Sequence, residues 1–266
     1  MHVTCGAMGT SKDSSVLITG AGLRIGSGLA QALAADGWFV VVHYNSSPDA
    51  ADETLRVIRA HGGDGMTVQA DLADPHAAEV LVERIGIDAP PVCALINNAS
   101  LFEVDTPADF TLESWEQHHN VNLLSPILLS RAMAAALPEG RKGCVINLLD
   151  NKLEALNPDH FSYTLSKIGL QGATQIMAMA LAPRVRVCGV APGITLIAPD
   201  QDQEAFERAH CMNPLGQGCT VEDIVRAVRF ILATPSLTGQ VVTIDGGQHL
   251  MRHPRDISYL ADPDEG

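Results

Sequence analysis

Ser15-Val16-Leu17-Ile18-Thr19-Gly20-Ala21-Gly22-Leu23-Arg24-Ile25-Gly26 decides the fold. Residues 15–19 form an apolar run of strand length, residues 20–26 a glycine-bearing turn, and residues 25–35 carry helical periodicity. A strand, a tight turn and a helix in that order offer backbone N–H groups and the positive end of a helix dipole to a pyrophosphate. Outward from this unit the pattern repeats. Further strands are expected at 38–44, 66–70, 92–97, 144–149, 185–190 and 240–244. Helices are expected at 50–60, 75–85, 112–137 with a bend near Pro126, in the region of Tyr163, and at 221–233. Strands alternating with helices imply a parallel sheet covered on both faces through right-handed crossovers. The expectation is one α/β domain, a Rossmann-type doubly wound parallel sheet of about seven strands, over residues 15–250. Residues 1–14 read as a loose leader, and residues 251–266 as a tail that either packs on a neighbouring subunit or lacks order. The longest irregular stretch, 191–220, follows the sixth strand at the carboxyl edge of the sheet, where ligands bind in open α/β folds, so it is read as a substrate lid.

Composition narrows the partners. A formal charge of −14 and a pI near 5.0 disfavour nucleic acid and anionic membrane surfaces, both of which would repel the protein. The six cysteines are scattered without a C-x-x-C pair, and Cys93, Cys144 and Cys188 lie in apolar runs where a thiol behaves as a small hydrophobe. Reduced thiols, no signal-peptide core and no long apolar window point to a cytoplasmic protein with no membrane span. His118-His119 invite a metal reading, but adjacent residues point to different helix faces and no ligand cluster surrounds them, so no metal is expected.

The chemistry concentrates at Phe161-Ser162-Tyr163-Thr164-Leu165-Ser166-Lys167. Tyr163 and Lys167 are four apart and share a helix face; the ammonium is expected to lower the phenol pKa towards neutrality. Lys167 is the only formally charged side chain from 161 to 183, among small and apolar residues, so the helix is expected to be buried nearly all round. A bare Y-x-x-x-K pattern arises often by chance, and its context must decide. In the phosphate turn Gly20 and Gly26 are in place, but Arg24 stands at the middle position of the usual three-glycine fingerprint and adds a cation. The end of the second strand, His43-Tyr44-Asn45-Ser46-Ser47, has no carboxylate before Asp49. An acid there would hold the free ribose of NAD, whereas these donors, with Arg24 near, suit the 2′-phosphate of NADP(H). The bland alternative is that His43 and the serines cap the next helix.

Taken together these pieces resemble the short-chain dehydrogenase/reductase family over nearly the whole chain. The matching segments are Thr19 to Gly26, Ala70-Asp71-Leu72, Asn97-Asn98-Ala99-Ser100, Asn122, Tyr163 with Lys167, Ala191-Pro192-Gly193 and Asp245-Gly246-Gly247. The resemblance implies strand order 3-2-1-4-5-6-7 and a homotetramer. It implies that Gly20, Arg24, Ile25 and Gly26 hold the cofactor phosphates, that Asp71 and Leu72 border the adenine, and that Asn98, Ala99 and Ser100 line the cofactor. Pro192, Gly193 and Ile194 would flank the nicotinamide, Asn122 would support a relay water, and Lys167 would hold the nicotinamide ribose while tuning Tyr163.

One departure outweighs the agreements. Thirteen residues before the tyrosine most members carry a serine that donates to a substrate carbonyl; this chain has Asp150. An ionised carboxylate only accepts, which suits a substrate offering N–H groups. Asp150, the arginine in the glycine turn, Ser100 with Phe102, and the His43-Tyr44 pair resemble the pteridine reductase and dihydromonapterin reductase branch. That resemblance implies NADPH-dependent reduction of a pterin-like small molecule, with Arg24, Ser100, Phe102, Asp150 and Tyr163 at the substrate and Phe102 stacking on its ring. The competing readings are an ordinary carbonyl reductase of the same family and a non-catalytic NADP-sensing regulator; the regulator has no use for Tyr163, Lys167 and Asn122.

Overall fold

In a computed structural model, residues 13–197 and 202–260 are described. The leader, the middle of the lid and the last six residues lie outside them. Seven parallel strands form one sheet in the order β3-β2-β1-β4-β5-β6-β7: β1 Ser15–Ile18, β2 Phe39–Tyr44, β3 Asp64–Gln69, β4 Val92–Asn97, β5 Gly143–Leu148, β6 Val185–Pro192 and β7 Val241–Ile244. This is the expected topology. β1, β4 and β5 are buried along their whole length, as continuous apolar runs demand when both faces of a sheet are covered. The chain reverses its direction of travel across the sheet at β1, which has β2 on one side and β4 on the other, and the crevice at that switch is where a ligand fits.

The covering helices are α1 Arg24–Ala35, α2 Pro48–Ala60, α3 Pro75–Asp88, α4 Leu112–His119, α5 Ser125–Ala136, α6 Phe161–Ala180, α7 Gln203–Cys211, α8 Val221–Ala233 and the short α9 Ile257–Leu260. Local chemistry sets several of their starts. Thr220 and Asp223 form a reciprocal capping box on α8, and Asp74 accepts from the His76 N–H at the head of α3.

Four expectations change. The 112–137 helix is interrupted by a π-helical turn, Asn120–Leu124, and Pro126 lies in the first turn of α5, where its missing N–H leaves no helical bond unmade. The distortion therefore precedes the proline. The stretch 191–220 is not irregular throughout, since β6 runs on to Pro192 and α7 lies inside it. Helix α6 is not buried all round: Ser162, Tyr163, Thr164, Ser166, Lys167, Leu170, Thr174 and Ala178 face inward, whereas Ile176 and Met179 are exposed. Its inner face sits close enough to the π turn that a Cβ on Gly169 would meet Leu123 at 2.8 Å. Finally, the segment after 250 packs on its own chain as far as Leu260, through ion pairs from Arg255 and Asp256. No described helix is long and apolar enough to cross a membrane.

Candidate active site

The phosphate turn is built by close approach. Gly20 has φ +63°, and a Cβ on Gly26 would lie 2.2 Å from the Gly20 carbonyl oxygen, so both positions need glycine. Arg24 occupies the same left-handed region at φ 54°, which explains why glycine is usual there and why arginine costs strain. Its guanidinium donates to Leu196 O at 3.1 Å and Ile197 O at 2.7 Å. It thus spans the crevice to the loop after β6. Helix α1 starts at Leu23 without a side-chain cap, leaving its first-turn N–H groups to an anion. Thr19 and Asn98 knit this turn to β4: Thr19 Oγ1 accepts from the Asn98 and Ala99 N–H groups at 2.9 Å, and Asn98 Nδ2 donates to Thr19 O and Gly20 O.

At the end of β2, His43 is buried and is not a phosphate ligand. Its Nδ1 accepts from the Gly20 N–H at 3.1 Å and its Nε2–H donates to Ala70 O at 3.1 Å; both nitrogens support the turn. Burial lowers its pKa to about 4, so it carries no charge for a phosphate at neutral pH. Tyr44 is half-buried, while Asn45 and Ser46 are exposed. Ser47 precedes α2 without capping it, so the capping alternative has no bond behind it. Asp71 is exposed with Oδ1 accepting from the Ala73 N–H, and Leu72 is buried beneath it.

Asp150, Tyr163 and Lys167 converge at the ends of β5 and α6. Tyr163 donates to Asp150 Oδ2 at 2.6 Å, and Asp150 Oδ1 accepts from the Lys152 N–H at 2.7 Å. Lys167 donates through Nζ to Leu148 O at 2.7 Å and lies 5.6 Å from the Tyr163 ring centroid. The expectation that Lys167 lowers the phenol pKa is overturned: burial, then the charge and hydrogen bond of Asp150, holds Tyr163 well above its ordinary value. Burial also raises the Asp150 carboxyl, against the bonds from Tyr163 and Lys152, and lowers Lys167 to about 8. Asn122, in the π turn, uses its side chain fully: Oδ1 accepts from the Leu101 N–H and Ser100 Oγ, and Nδ2 donates to Leu101 O and Ser166 Oγ. It anchors the Ser100 turn to α6, and its side chain is not left to hold a relay water.

Residues that the motifs do not reveal complete the wall. His160, in left-handed conformation at the head of α6, donates Nδ1–H to Glu103 O at 2.9 Å and stacks on Phe102 with ring centroids 4.1 Å apart. Phe102 also meets Tyr163 edge-on at 4.7 Å. From the C-terminal segment, Asp256 pairs with buried Lys152 at 3.0 Å and Arg255 with Asp159 at 2.9 Å. Arg24, Ile25, Ser100, Phe102, Asp150, Tyr163, Pro192, Gly193 and Ile194 share one cavity of about 720 Å³ with His160 and residues 251, 253 and 255–259. His43–Ser46, Asp71 and Leu72 lie outside it, along the crevice. His118 and His119 each bond a carbonyl of their own helix, Ser114 O and Trp115 O.

Residues 14–208 match the family model for short chain dehydrogenase. The chain belongs to the short-chain dehydrogenase family. Among curated members, a 3-oxoacyl-[acyl-carrier-protein] reductase of Synechocystis is 32% identical over 236 residues, covering 87% of this chain and 95% of the relative. Among solved structures, FolM alternative dihydrofolate reductase 1 from Brucella canis, complexed with NADP, superposes with a TM-score of 0.87 at 39% identity, covering 92% of this chain and 98% of that one. The Brucella suis enzyme of the same name, also with NADP, gives 0.87 at 38% identity, with 95% and 98% covered. As a member of this family the chain is an oxidoreductase. The signal for Lys152, Asp159, Asp256 and His160 was absent from any motif, because each acts through a partner distant in sequence or through an unusual backbone angle.

Proposed function

We propose that the chain is an NADPH-dependent reductase of a pterin ring, taking a dihydropterin, or a dihydrofolate, to the tetrahydro form. The observation that carries the reading is the 2.6 Å hydrogen bond between Tyr163 and Asp150, in a cavity walled by Phe102 on one side and Pro192 and Gly193 on another. Where a serine would donate to a ketone oxygen, this site offers a carboxylate to ring N–H groups. The similarity to the two FolM dihydrofolate reductases supports it.

The residues fit NADP(H). The Gly20–Gly26 contact and the uncapped start of α1 suit the pyrophosphate, and the exposed Asn45 and Ser46, with no acid between Tyr44 and Pro48, suit a 2′-phosphate. The cofactor supplies hydride to carbon when bound. This chain's residues supply the rest. Reduction of a C=N bond also needs a proton on nitrogen; burial raises the proton affinity of both Asp150 and Tyr163, and the hydrogen bond from Tyr163 to Asp150 holds a proton beside the cavity. Asp150, Tyr163 and an ordered water titrate as one set, and the proton belongs to the set. Phe102, exposed to the cavity at 55%, presents a face for a flat ring. The exposed Ile176 and Met179 on α6 support assembly into a homotetramer, and the buried free thiols support a cytoplasmic setting.

The 3-oxoacyl reductases among the relatives favour a carbonyl substrate as the second reading. NADPH oxidation with dihydrobiopterin, dihydromonapterin, dihydrofolate, a simple ketone and a 3-oxoacyl thioester separates the two. Asp150→Ser is expected to lower dihydropterin turnover by ~10²-fold or more with NADPH affinity nearly unchanged. Full pterin activity in that variant, or a wild type that reduces ketones and no dihydropterin, would replace this reading with the second.

A further inference from the structure

We infer that His160 is a positioning residue that fixes the plane of the Phe102 ring and its place beside Tyr163. The inference rests on the pterin reading above, in which Phe102 stacks on the substrate. The His160 and Phe102 rings lie face to face, with centroids 4.1 Å apart and planes at 24°. His160 is 3% exposed, so it has almost no surface of its own for a ligand; Phe102 is 55% exposed, and the face opposite His160 is the one a flat ring can take. Tyr163 meets Phe102 edge-on at 4.7 Å, so the stacking ring and the hydroxyl that bonds Asp150 belong to one cluster.

The loop that carries Phe102 is fastened to the head of α6 at the same place. His160 donates Nδ1–H to Glu103 O at 2.9 Å, the Phe161 N–H donates to Asp105 O at 3.1 Å, and the Ser162 N–H donates to Asp105 Oδ1 at 3.0 Å. His160 holds φ 54° and ψ 54°, a left-handed backbone that a residue with a β-carbon adopts at a cost. Asparagine or glycine would sit there more easily, and asparagine also brings an N–H for Glu103 O. Neither has a ring. The left-handed turn alone therefore does not account for histidine, and the ring stacked on Phe102 does. Reduction of a C=N bond places a hydride at carbon and a proton at nitrogen of one flat ring, so the plane that Phe102 sets must keep its distance from Tyr163. His160 joins the two, since it stacks on the first and opens the helix that carries the second.

Variants that separate the ring from the backbone test this. His160→Asn keeps the left-handed preference and a donor for Glu103 O, whereas His160→Phe keeps the ring and gives up both. His160→Asn is expected to raise KM for dihydrobiopterin by about 3-fold or more, the scale of a stacked ring pair, with KM for NADPH unchanged, and His160→Phe to stay closer to wild type. In a Phe102→Leu background His160→Asn should add nothing, because its effect passes through the ring already removed. The Phe102 ring-proton shifts, assigned in NMR spectra by their loss in Phe102→Leu, should move in His160→Asn. The reverse order of the two His160 variants, or an equal rise in KM in both backgrounds, overturns the inference. So does loss of the fold in both His160→Asn and His160→Gly, which would make residue 160 structural. If Phe102→Leu alone leaves KM for dihydrobiopterin unchanged, or the wild type reduces no dihydropterin, it is the stacking reading that fails. The Phe102 shifts then decide the positioning, which is upheld if they move in His160→Asn and overturned if they stay.

Discussion

Arg24 offers a clean separation of backbone strain from side-chain function. At φ 54° a non-glycine residue carries about 1–2 kcal/mol of strain. Arg24→Ala keeps that strain and removes the guanidinium bonds to Leu196 O and Ile197 O. Arg24→Gly removes the same bonds and relieves the strain, less the roughly 0.5–1 kcal/mol that glycine loses in chain entropy. The two variants share the functional loss and differ by roughly 0–1.5 kcal/mol in stability, with glycine level or ahead. For a chain of this length about 1 kcal/mol corresponds to ~2 °C, so Arg24→Gly should melt up to ~3 °C above Arg24→Ala in calorimetry without cofactor. Both should show weaker NADPH binding, by ~10-fold or more, because the guanidinium that ties the loop after β6 across the crevice is gone. Arg24→Ala melting above Arg24→Gly would refute a left-handed backbone at 24. Unchanged NADPH binding in both would refute the loop clamp.

Lys167 gives a pH dependence with a definite sign. Its folded pKa of about 8 lies below its ordinary 10.5, so the lysine is cationic below pH 8 and becomes neutral above it; if its ammonium holds the cofactor ribose, the NADPH dissociation constant measured by fluorescence should rise as pH passes 8, and a flat profile to pH 9.5 would count against the role. The folded state gives up this proton near pH 8 and the unfolded state only near 10.5, so the group's contribution to stability of the cofactor-free protein is unfavourable below pH 8 and improves between pH 8 and 10.5. NADPH should exceed NADH in kcat/KM by at least about tenfold, one charge-assisted hydrogen bond's worth, and equal efficiencies would remove the 2′-phosphate reading. Light scattering at micromolar concentration should give a tetramer mass; a monomer would leave Ile176 and Met179 without the partner proposed for them.

The sheet was legible because its strands are apolar runs bounded by turns, a signal local to each segment. Val16, Leu17 and Ile18 are all fully buried, as the run 15–19 implies. The π turn at 120–124 was not legible, since a one-residue shift in helical register leaves no compositional mark, and Pro126 drew attention to the wrong place. Helix α6 misled for a different reason: small and apolar residues on its outer face look the same whether they meet a sheet or await another subunit.

Within the site, residue identity told which groups would meet and not which way their protons would lie. Tyr163 and Lys167 were brought together by spacing alone, but the tyrosine shift is set first by burial, which spacing does not report, and is reinforced by Asp150, thirteen residues away, whose carboxylate accepts the hydroxyl hydrogen bond at 2.6 Å while the lysine is engaged with Leu148 O. Asp150, the departure that suggests a pterin, therefore also adds to the upward shift of the tyrosine. A phenol and a carboxyl both pushed up by burial hold a proton beside the cavity, and the cavity is walled by a C-terminal segment whose Asp256 and Arg255 form ion pairs with Lys152 and Asp159, about a hundred residues earlier. That distance is why the tail read as a tail in the sequence and as a wall of the site in the fold.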